Sequence, residues 1–252
     1  VKVRPLFPHA ALLLEDSSSK KYVVVSDLHI GIESELDVKG VSFGKQSAKV
    51  MASEISKLVK SESADSIVLL GDIKHKVGSI TRQEWDEIPP FLNELSDTCQ
   101  VYLVPGNHDG NIRHLTPPDV TLVSSSGMVI EDTLFVHGHT MPSNLRAAVG
   151  RMVMGHVHPV FLKAGSLMSG ERVWIQLRAR KDALFSGRGN IDVVVVPNFN
   201  PYIFAAGPRS YRKSISPILS RLLARPDAIE DCIVARLDGS IIGDSRMLGN
   251  VL

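Results

Sequence analysis

Nine histidines occur in the 252-residue sequence, and six of them, at positions 29, 108, 137, 139, 156 and 158, fall in short polar clusters that directly follow apolar, strand-like runs. In chain order the clusters are Asp27-Leu28-His29 after YVVVS, Gly71-Asp72 after SIVLL, Gly106-Asn107-His108-Asp109 after VYLVP, His137-Gly138-His139 after TLFV, and Gly155-His156-Val157-His158 after RMVM. Carboxylates, one amide oxygen and several imidazoles make a mixed oxygen and nitrogen donor set, suited to manganese, iron or zinc and too rich in nitrogen for calcium. An alternating D-x-H can aim both side chains at one ion, and glycines beside the donors let backbone and substrate come close. The set is large enough for two ions. Two ions about 3.5 to 4 Å apart suit phosphoryl chemistry, because one activates water as hydroxide while both offset charge on the phosphate oxygens. A D-x-H triplet alone arises by chance in roughly one chain in four of this length. Five clusters in series, each behind a strand, are not explained that way.

The elements that must position these clusters are legible in the apolar pattern. YVVV and SIVLL flank a helical stretch over 47–60, where Met51, Ile55, Leu58 and Val59 recur three or four apart, which is a βαβ unit. A second helix is expected near 90–95, opened by Pro89 and Pro90, and it leads to the strand VYLV. These strands read as a buried parallel sheet. After Asn111 come short strands, VTLVSS, GMVIED, TLFVHG, RMVMGH, RVWIQLRA and DVVVVPNF, with a helical patch near 144–149. SISPILSRLLAR is expected to be an amphipathic helix capped by Ser216, with Pro217 first and Ile218, Leu219 and Leu222 buried. The expectation is two packed sheets with helices outside. Open α/β sheets bind ligands beyond the carboxyl ends of their strands, so the five clusters can share one crevice although 131 residues separate Asp27 from His158. With no internal repeat or low-complexity linker, one domain is expected, with a core over 1–180 and a C-terminal elaboration over 181–252.

In this order D-x-H, GD, GNHD, HGH and GHVH resemble the calcineurin-like metallophosphoesterase superfamily. Within it, SDLHIG and LLGDIKH are similar to small archaeal and prokaryotic phosphoesterases related to double-strand-break repair nucleases and to ligase- or helicase-associated phosphoesterases. The resemblance implies an α/β fold, a four-layer αββα sandwich of two mixed sheets flanked by helices. It also implies two divalent ions, manganese foremost, with iron, zinc or magnesium as alternatives. Asp27, His29 and His158 would hold one ion, Asn107, His137 and His156 the other, and Asp72 would bridge them. His108 would contact the scissile phosphate and protonate the leaving oxygen. Asp109 either orients His108 or caps a loop. His75 and Arg113 are candidates for contact with substrate phosphate, each against the alternative of a surface side chain. His139 is a candidate at the substrate side of the site, bonded to a neighbouring loop or lying behind the ligands.

Composition sets the outer bounds. Apolar residues are 44% and charged residues 22%, ordinary for a globular chain, and no apolar run approaches the roughly 18 residues of a membrane span, so no membrane partner is expected. Cys99 and Cys232 form no disulfide or zinc pattern, and ALLL is too short for a signal-peptide core, so a cytoplasmic location is expected. The chain opens on Val1 rather than Met, which leaves room for an upstream segment.

Net charge is only +1, yet residues 160–225 carry eleven basic side chains against three acidic ones. That segment is either a solvated face or a surface for a polyanion. Trp174, Phe185, Phe199 and Tyr202 lie between its basic residues, a mixture that suits a single strand if the rings are exposed and core packing if they are not. The leading expectation is therefore a two-metal phosphodiesterase acting on DNA or RNA, with a repair helicase or ligase as a partner. A small-molecule or phosphoprotein phosphatase is the alternative, and a non-catalytic interaction scaffold a second one, disfavoured by the complete donor set and His108. The chain is too short for the long extra domains of repair nucleases, so processive resection is not carried over.

Overall fold

The computed structural model describes residues 1–40, 47–142, 148–204 and 216–251. One sheet contains β1 (Lys2–Pro5), β2 (Ala11–Glu15), β3 (Lys21–Val25), β4 (Ser66–Leu70), β5 (Gln100–Val104) and β6 (Val120–Leu122), side by side in that order. Its first pairings are antiparallel, and β3 to β6 run parallel. The helices among these strands are α1 (Ile32–Val38), α2 (Ser47–Glu62) and α3 (Arg82–Ser96). The second sheet is built from β7 (Met128–Ile130), β8 (Thr133–Val136), β9 (Arg151–Met154), β10 (Val173–Arg180), β11 (Asn190–Val195), β12 (Ile229–Arg236) and β13 (Ile241–Gly243), in the order β13-β12-β10-β11-β9-β8-β7. In it β8, β9 and β11 are parallel and the remaining pairs antiparallel. Strand β11 lies between β9 and β10, so the 181–252 segment shares this sheet with the strands that precede it.

Alternation along the strands sorts side chains into three apolar layers, because successive residues of a strand face opposite sides of the sheet. Val23 and Val25 of β3 and Ile67 and Leu69 of β4 pack outward against Met51, Ile55, Leu58 and Val59 of α2 and Ile88, Leu92 and Leu95 of α3. Their neighbours Val24, Val68 and Leu70 turn inward and meet Phe135, Val153, Trp174 and Val194 of the second sheet. On the far face Met152, Met154, Ile175, Val193 and Val195 are covered by Ile218, Leu219 and Leu222 of α4 (Pro217–Leu223) and by Leu248 and Val251 of α5 (Leu248–Val251). Helix, sheet, sheet, helix is the αββα sandwich expected. No helix among the described residues is long and apolar enough to cross a membrane.

Local differences from the sequence reading have physical causes. Helix α3 does not begin at the prolines. Thr81 opens it with a capping box, its side chain accepting from the Glu84 amide at 3.2 Å while Glu84 Oε2 accepts from the Thr81 amide at 2.7 Å. Pro89 and Pro90 sit inside the helix and leave the carbonyls of Trp85 and Asp86, four residues earlier, without helical donors, on a face where those two residues are exposed. Strand β12 escaped the pattern because Glu230 and Asp231 interrupt its apolar alternation. Most of the helical patch expected near 144–149 lies outside the described residues. Helix α4 follows the expectation: the Ser216 side chain accepts from the Ile218 amide at 3.3 Å, and Pro217 is first.

The two tryptophans test the layer assignment. Trp174 is fully buried between the sheets and Trp85 is half exposed on α3. Trp174→Ala is expected to cost about 3 to 5 kcal/mol in urea unfolding, and Trp85→Ala less than about 1 kcal/mol. Equal losses would place the inter-sheet core elsewhere.

Candidate functional site

Every cluster singled out in the sequence lies at the carboxyl end of a strand, after β3, β4 and β5 in one sheet and after β8 and β9 in the other. The turns that hold them are strained. Asp27, His29, Asp72, His156 and His158 all have left-handed backbones, with φ of 58°, 42°, 51°, 72° and 47°. Each such residue costs on the order of 1 to 3 kcal/mol and persists only where its surroundings over-determine it, as at functional sites. Hydrogen bonds supply that constraint. The Asp27 amide donates to Gly71 O at 3.1 Å, the His29 amide to Asp72 O at 2.8 Å, and the Ile30 amide to Ile73 O at 2.8 Å, extending the β3–β4 pairing past both strand ends. The His156 amide donates to Asp27 Oδ1 and Oδ2 at 3.2 and 3.1 Å, joining the second sheet to the first. Glycine is required at 106 and 155, where a Cβ would overlap Asp72 and Ser26.

Among the described residues, the side chains converge in three groups, of which two share the Asp72 carboxylate and the third, His29, His75 and His108, shares His29. Donor atoms of Asp27, His29, Asp72 and His158 lie within 4.8 Å of one another, as do those of Asp72, His137 and His156. In the first group His158 Nε2 is 3.0 Å from Asp27 Oδ1, His29 Nε2 is 3.2 Å from His158 Nε2, and His29 Nε2 is 3.6 Å from Asp72 Oδ2. In the second, His137 Nε2 is 3.3 Å from Asp72 Oδ2 and 3.2 Å from Asn107 Oδ1. Donors held on one ion at about 2.1 Å, with octahedral or tetrahedral angles, stand about 3.0 to 3.4 Å apart, so these separations fit a divalent ion in each of the two Asp72 groups. Two imidazole nitrogens face to face also call for a proton or a cation between them.

Burial and charge decide which atoms carry protons. Burial works against ionisation of Asp27 and Asp72, but the surrounding histidines outweigh it: His158 and His137 lower Asp27, and His137, His29 and His108 hold Asp72 well below the usual carboxylate range. Burial keeps His29 neutral, well below its ordinary value, despite Asp72. Burial and the charge on His137 push His156 down to about 4. His137 moves the other way: burial opposes its proton, yet Asp72 and Asp27 raise it to about 9. The Leu70 carbonyl, 3.0 Å from His137 Nδ1, can only accept, so Nδ1 carries a hydrogen and Nε2 faces Asp72 and Asn107.

The other expected residues divide into those that join the groups and those that do not. His108 stands beside the two Asp72 groups without entering the closest contacts: its amide donates to Asp72 Oδ1 at 2.9 Å, its Nδ1 bonds the His75 carbonyl, and its Nε2 is 3.9 Å from Asp72 Oδ2. Asp109 does not orient His108. It caps the loops instead, Oδ1 accepting from the Ile73 and Lys74 amides at 2.9 and 3.2 Å and Oδ2 from the Gly106 amide at 2.8 Å. Burial first, and the charge of Asp72 second, raise it to about 6. His75 reaches the site, its Nδ1 3.4 Å from His29 Nδ1 and its Nε2 2.9 Å from Glu35. His139 is half-buried, with its ring 5.3 Å from that of His137 and its Nδ1 without a hydrogen-bond partner among the described residues. Arg113 is exposed on the turn Ile112–Leu115 and makes no ion pair among the described residues.

Among the described residues, the basic side chains of β10 and the turn after it do not gather at this edge. Strand β10 is antiparallel to β11, pairing Ile175 with Val195 and Arg180 with Asn190, so Arg178, Arg180 and Lys181 lie at the end opposite the clusters. There Arg180 pairs with Asp182 and Asp227 at 3.2 and 3.4 Å, Arg225 with Asp182 at 3.6 Å, and Arg178 with Glu230 at 3.8 Å. Arg209, Arg212 and Lys213 lie outside the described residues. Trp174 and Phe199 are buried and Phe185 packs against the outer core, so core packing accounts for three of the four aromatics, while Tyr202 is half-buried.

Sequence reasoning missed the residues that brace the clusters. Lys74 is fully buried and spans its own loop by donating to the carbonyls of Lys76 and Ser79. The PNFNP run after β11 lies directly under Asp27. Two asparagines and two prolines behind a β-branched run were the available signal, and its meaning depends on what the run touches.

Fold and donor set together define a metal-dependent hydrolase of phosphate esters. The model of the calcineurin-like phosphoesterase family matches residues 20–213, and the chain belongs to that family. Among solved structures it is similar to the nuclease MPE of Pseudomonas putida, with 15% identity, 96% of this chain and 100% of that chain covered, and a TM-score of 0.52. It is also similar to Yfce, a phosphoesterase from E. coli, with 18% identity, coverage of 90% and 98%, and a TM-score of 0.43. At these identities the first likeness describes the fold alone. No curated protein matches the sequence.

Two outcomes are expected from the site as described. Asp109→Ala removes the acceptor of two buried amides and one half-buried one and should destabilise the protein by about 2 to 4 kcal/mol; an unchanged thermal midpoint would refute the loop-capping role. Because His137 holds its proton up to about pH 9, a divalent ion entering its group must displace that proton. Metal uptake at pH 7.5 should therefore release about one proton, read by calorimetry in buffers of different ionisation enthalpy, and affinity should weaken as the pH falls from about 9.

Proposed function

We propose that the chain is a two-metal phosphodiesterase, with Asp27, His29 and His158 on one ion, Asn107, His137 and His156 on the other, and Asp72 on both. The observation that carries this reading is that Asp72 belongs to two groups of converging donors. Two divalent ions held there, manganese foremost by the motif resemblance, would lower the pKa of an attacking water and offset charge on the phosphate oxygens. The protein's own groups do the rest. His108 Nδ1 is committed to the His75 carbonyl, which leaves Nε2 at the mouth of the site to meet a phosphate oxygen and give a proton to the leaving group. His75, fixed by Glu35, and His139 stand at opposite sides of the two groups, where a phosphoester would approach.

Nucleic acid is the substrate class we favour, on the motif resemblance and on a fold shared end to end with a protein described as a nuclease. A partner such as a repair helicase or ligase rests on the resemblance alone. A small phosphoester remains the second reading, for a specific reason: Arg178 and Arg180 are paired with carboxylates at the far end of the sheet.

Asp72→Asn is expected to lose both ions and turnover together, since a neutral amide cannot serve two cations. His108→Ala should keep its metal and lose roughly two to four orders of magnitude in turnover. Metal analysis after chelator-free purification, with rates on a labelled oligonucleotide and on an aryl phosphodiester, reads both. Full metal and wild-type rate in Asp72→Asn would overturn the two-ion reading. Hydrolysis of the aryl ester with none of the oligonucleotide would move the substrate to a small phosphoester.

A further inference from the structure

The strained turn that carries Asp27 and His29 is held from below by a segment outside all five clusters. Strand β3 ends at Val25, so the carbonyls of Ser26, Asp27 and Leu28 have no partner in the sheet. The loop that follows β11 meets all three. The Phe199 amide donates to Ser26 O at 2.8 Å, the Asn200 amide approaches Asp27 O at 3.5 Å, and Asn200 Nδ2 donates to Leu28 O at 2.8 Å. Asn200 is fully buried and its Oδ1 accepts from the Tyr202 amide at 2.9 Å, which assigns its amide group by the network. The loop is itself braced. Arg172 Nη1 donates to Asn198 O and Phe199 O at 2.7 and 2.9 Å, Asn198 Nδ2 donates to Asn200 O at 2.6 Å, and Phe199 is buried in the core over α2 and α3. One arginine of the basic segment is thus spent on backbone carbonyls.

We propose that Asn200, braced by Arg172, is a positioning residue for the ion of the Asp27, His29 and His158 group: its side chain holds the carbonyl between two left-handed ligands and so keeps both aimed at one point. Two observations set the direction. Asp27 and His29 flank Leu28 with φ of 58° and 42°, conformations that relax when their tethers are cut. Leu28 is fully buried, so its carbonyl finds no water to replace the lost amide, and the turn must move to satisfy it. The Asp72, His137 and His156 group has no hydrogen bond to this loop among the described residues. The consequence is graded: loosening residue 200 weakens this metal site most, and reaches the other only through the His29 amide on Asp72 O and the His156 amide on the Asp27 carboxylate.

This rests on the two-ion reading above. The test is manganese titration of metal-free protein for wild type, Asn200→Leu and a control, Leu95→Ala, which truncates the core at the end of α3 remote from the site. Calorimetry gives stoichiometry and affinity, and electron paramagnetic resonance reports whether two manganese ions are coupled. Wild type and Leu95→Ala should each bind two ions and show the coupled signal, the control with a lower thermal midpoint. Asn200→Leu should weaken one site at least ten-fold, the other clearly less, and lose the coupled signal at one equivalent per site. Its kcat should fall while KM changes little, because the phosphate mouth is untouched. Asn200→Asp, similar in volume but without the donor to Leu28 O, should behave alike. Equal weakening of both sites, or two intact sites in Asn200→Leu, overturns the positioning role. A wild type that binds one ion overturns the two-ion reading first, and this inference with it.

Discussion

Asp27 and Asp72 are buried at the seam between two sheets, where burial opposes the ionisation of both and Asp72 adds to the cost for Asp27. Carboxylates taken out of water persist only with compensating charge, and here the compensation comes from imidazoles that the second sheet carries: His137 and His158 lie against Asp27, and His137 against Asp72. Much of the rest follows from that requirement. The sheets must stack so that their strands end at one edge, and the turns beyond those ends must be tight enough to point side chains inward. Five of those turn residues accept left-handed backbones to do so.

The same requirement explains how the sheets are stitched. Apolar packing of Val24, Val68 and Leu70 against Phe135, Val153 and Trp174 holds them face to face but is non-directional. Register at the site comes from polar contacts across the seam: His137 to the Leu70 carbonyl, the His156 amide to the Asp27 carboxylate, and the Phe199 amide to the Ser26 carbonyl. Ser216, the cap of α4, adds a fourth by donating to Gly138 O at 2.8 Å, so the outer helix layer also touches a cluster. Each bond joins groups far apart in sequence, and each is buried, where a missing partner costs most.

Among the described residues of the basic interval, charge is used locally more than collectively. Arg172 satisfies carbonyls, Arg178, Arg180 and Arg225 pair with carboxylates, and Arg221 donates to Leu184 O at 3.2 Å. Among the described residues of 160–225 the surplus does not form one surface, since β10 carries its arginines away from the edge that β11 and β9 approach.

The donor chemistry, the strands that precede it and the apolar stripes of α2 and α4 were legible in the sequence, because they depend on residue type and on spacings of two or three to four, which are local. The apolar pattern and the clusters at strand ends predict two packed sheets with helices outside and a shared crevice, and the αββα layering came from the family resemblance that the motifs carry in series. Tertiary structure alone decided the rest. Asp109 turned from His108 to three backbone amides because the loops after β4 and β5 are neighbours only in space. Trp174 and Phe199 became core residues because the second sheet faces the first, and Arg178 and Arg180 moved away from the site because β10 runs antiparallel to β11. The role of Asn200 under Leu28 depends on contact across 172 positions. Local periodicity records which face of an element is apolar; which elements meet, and which carbonyl is left needing a donor, is set only when the sheets close on each other.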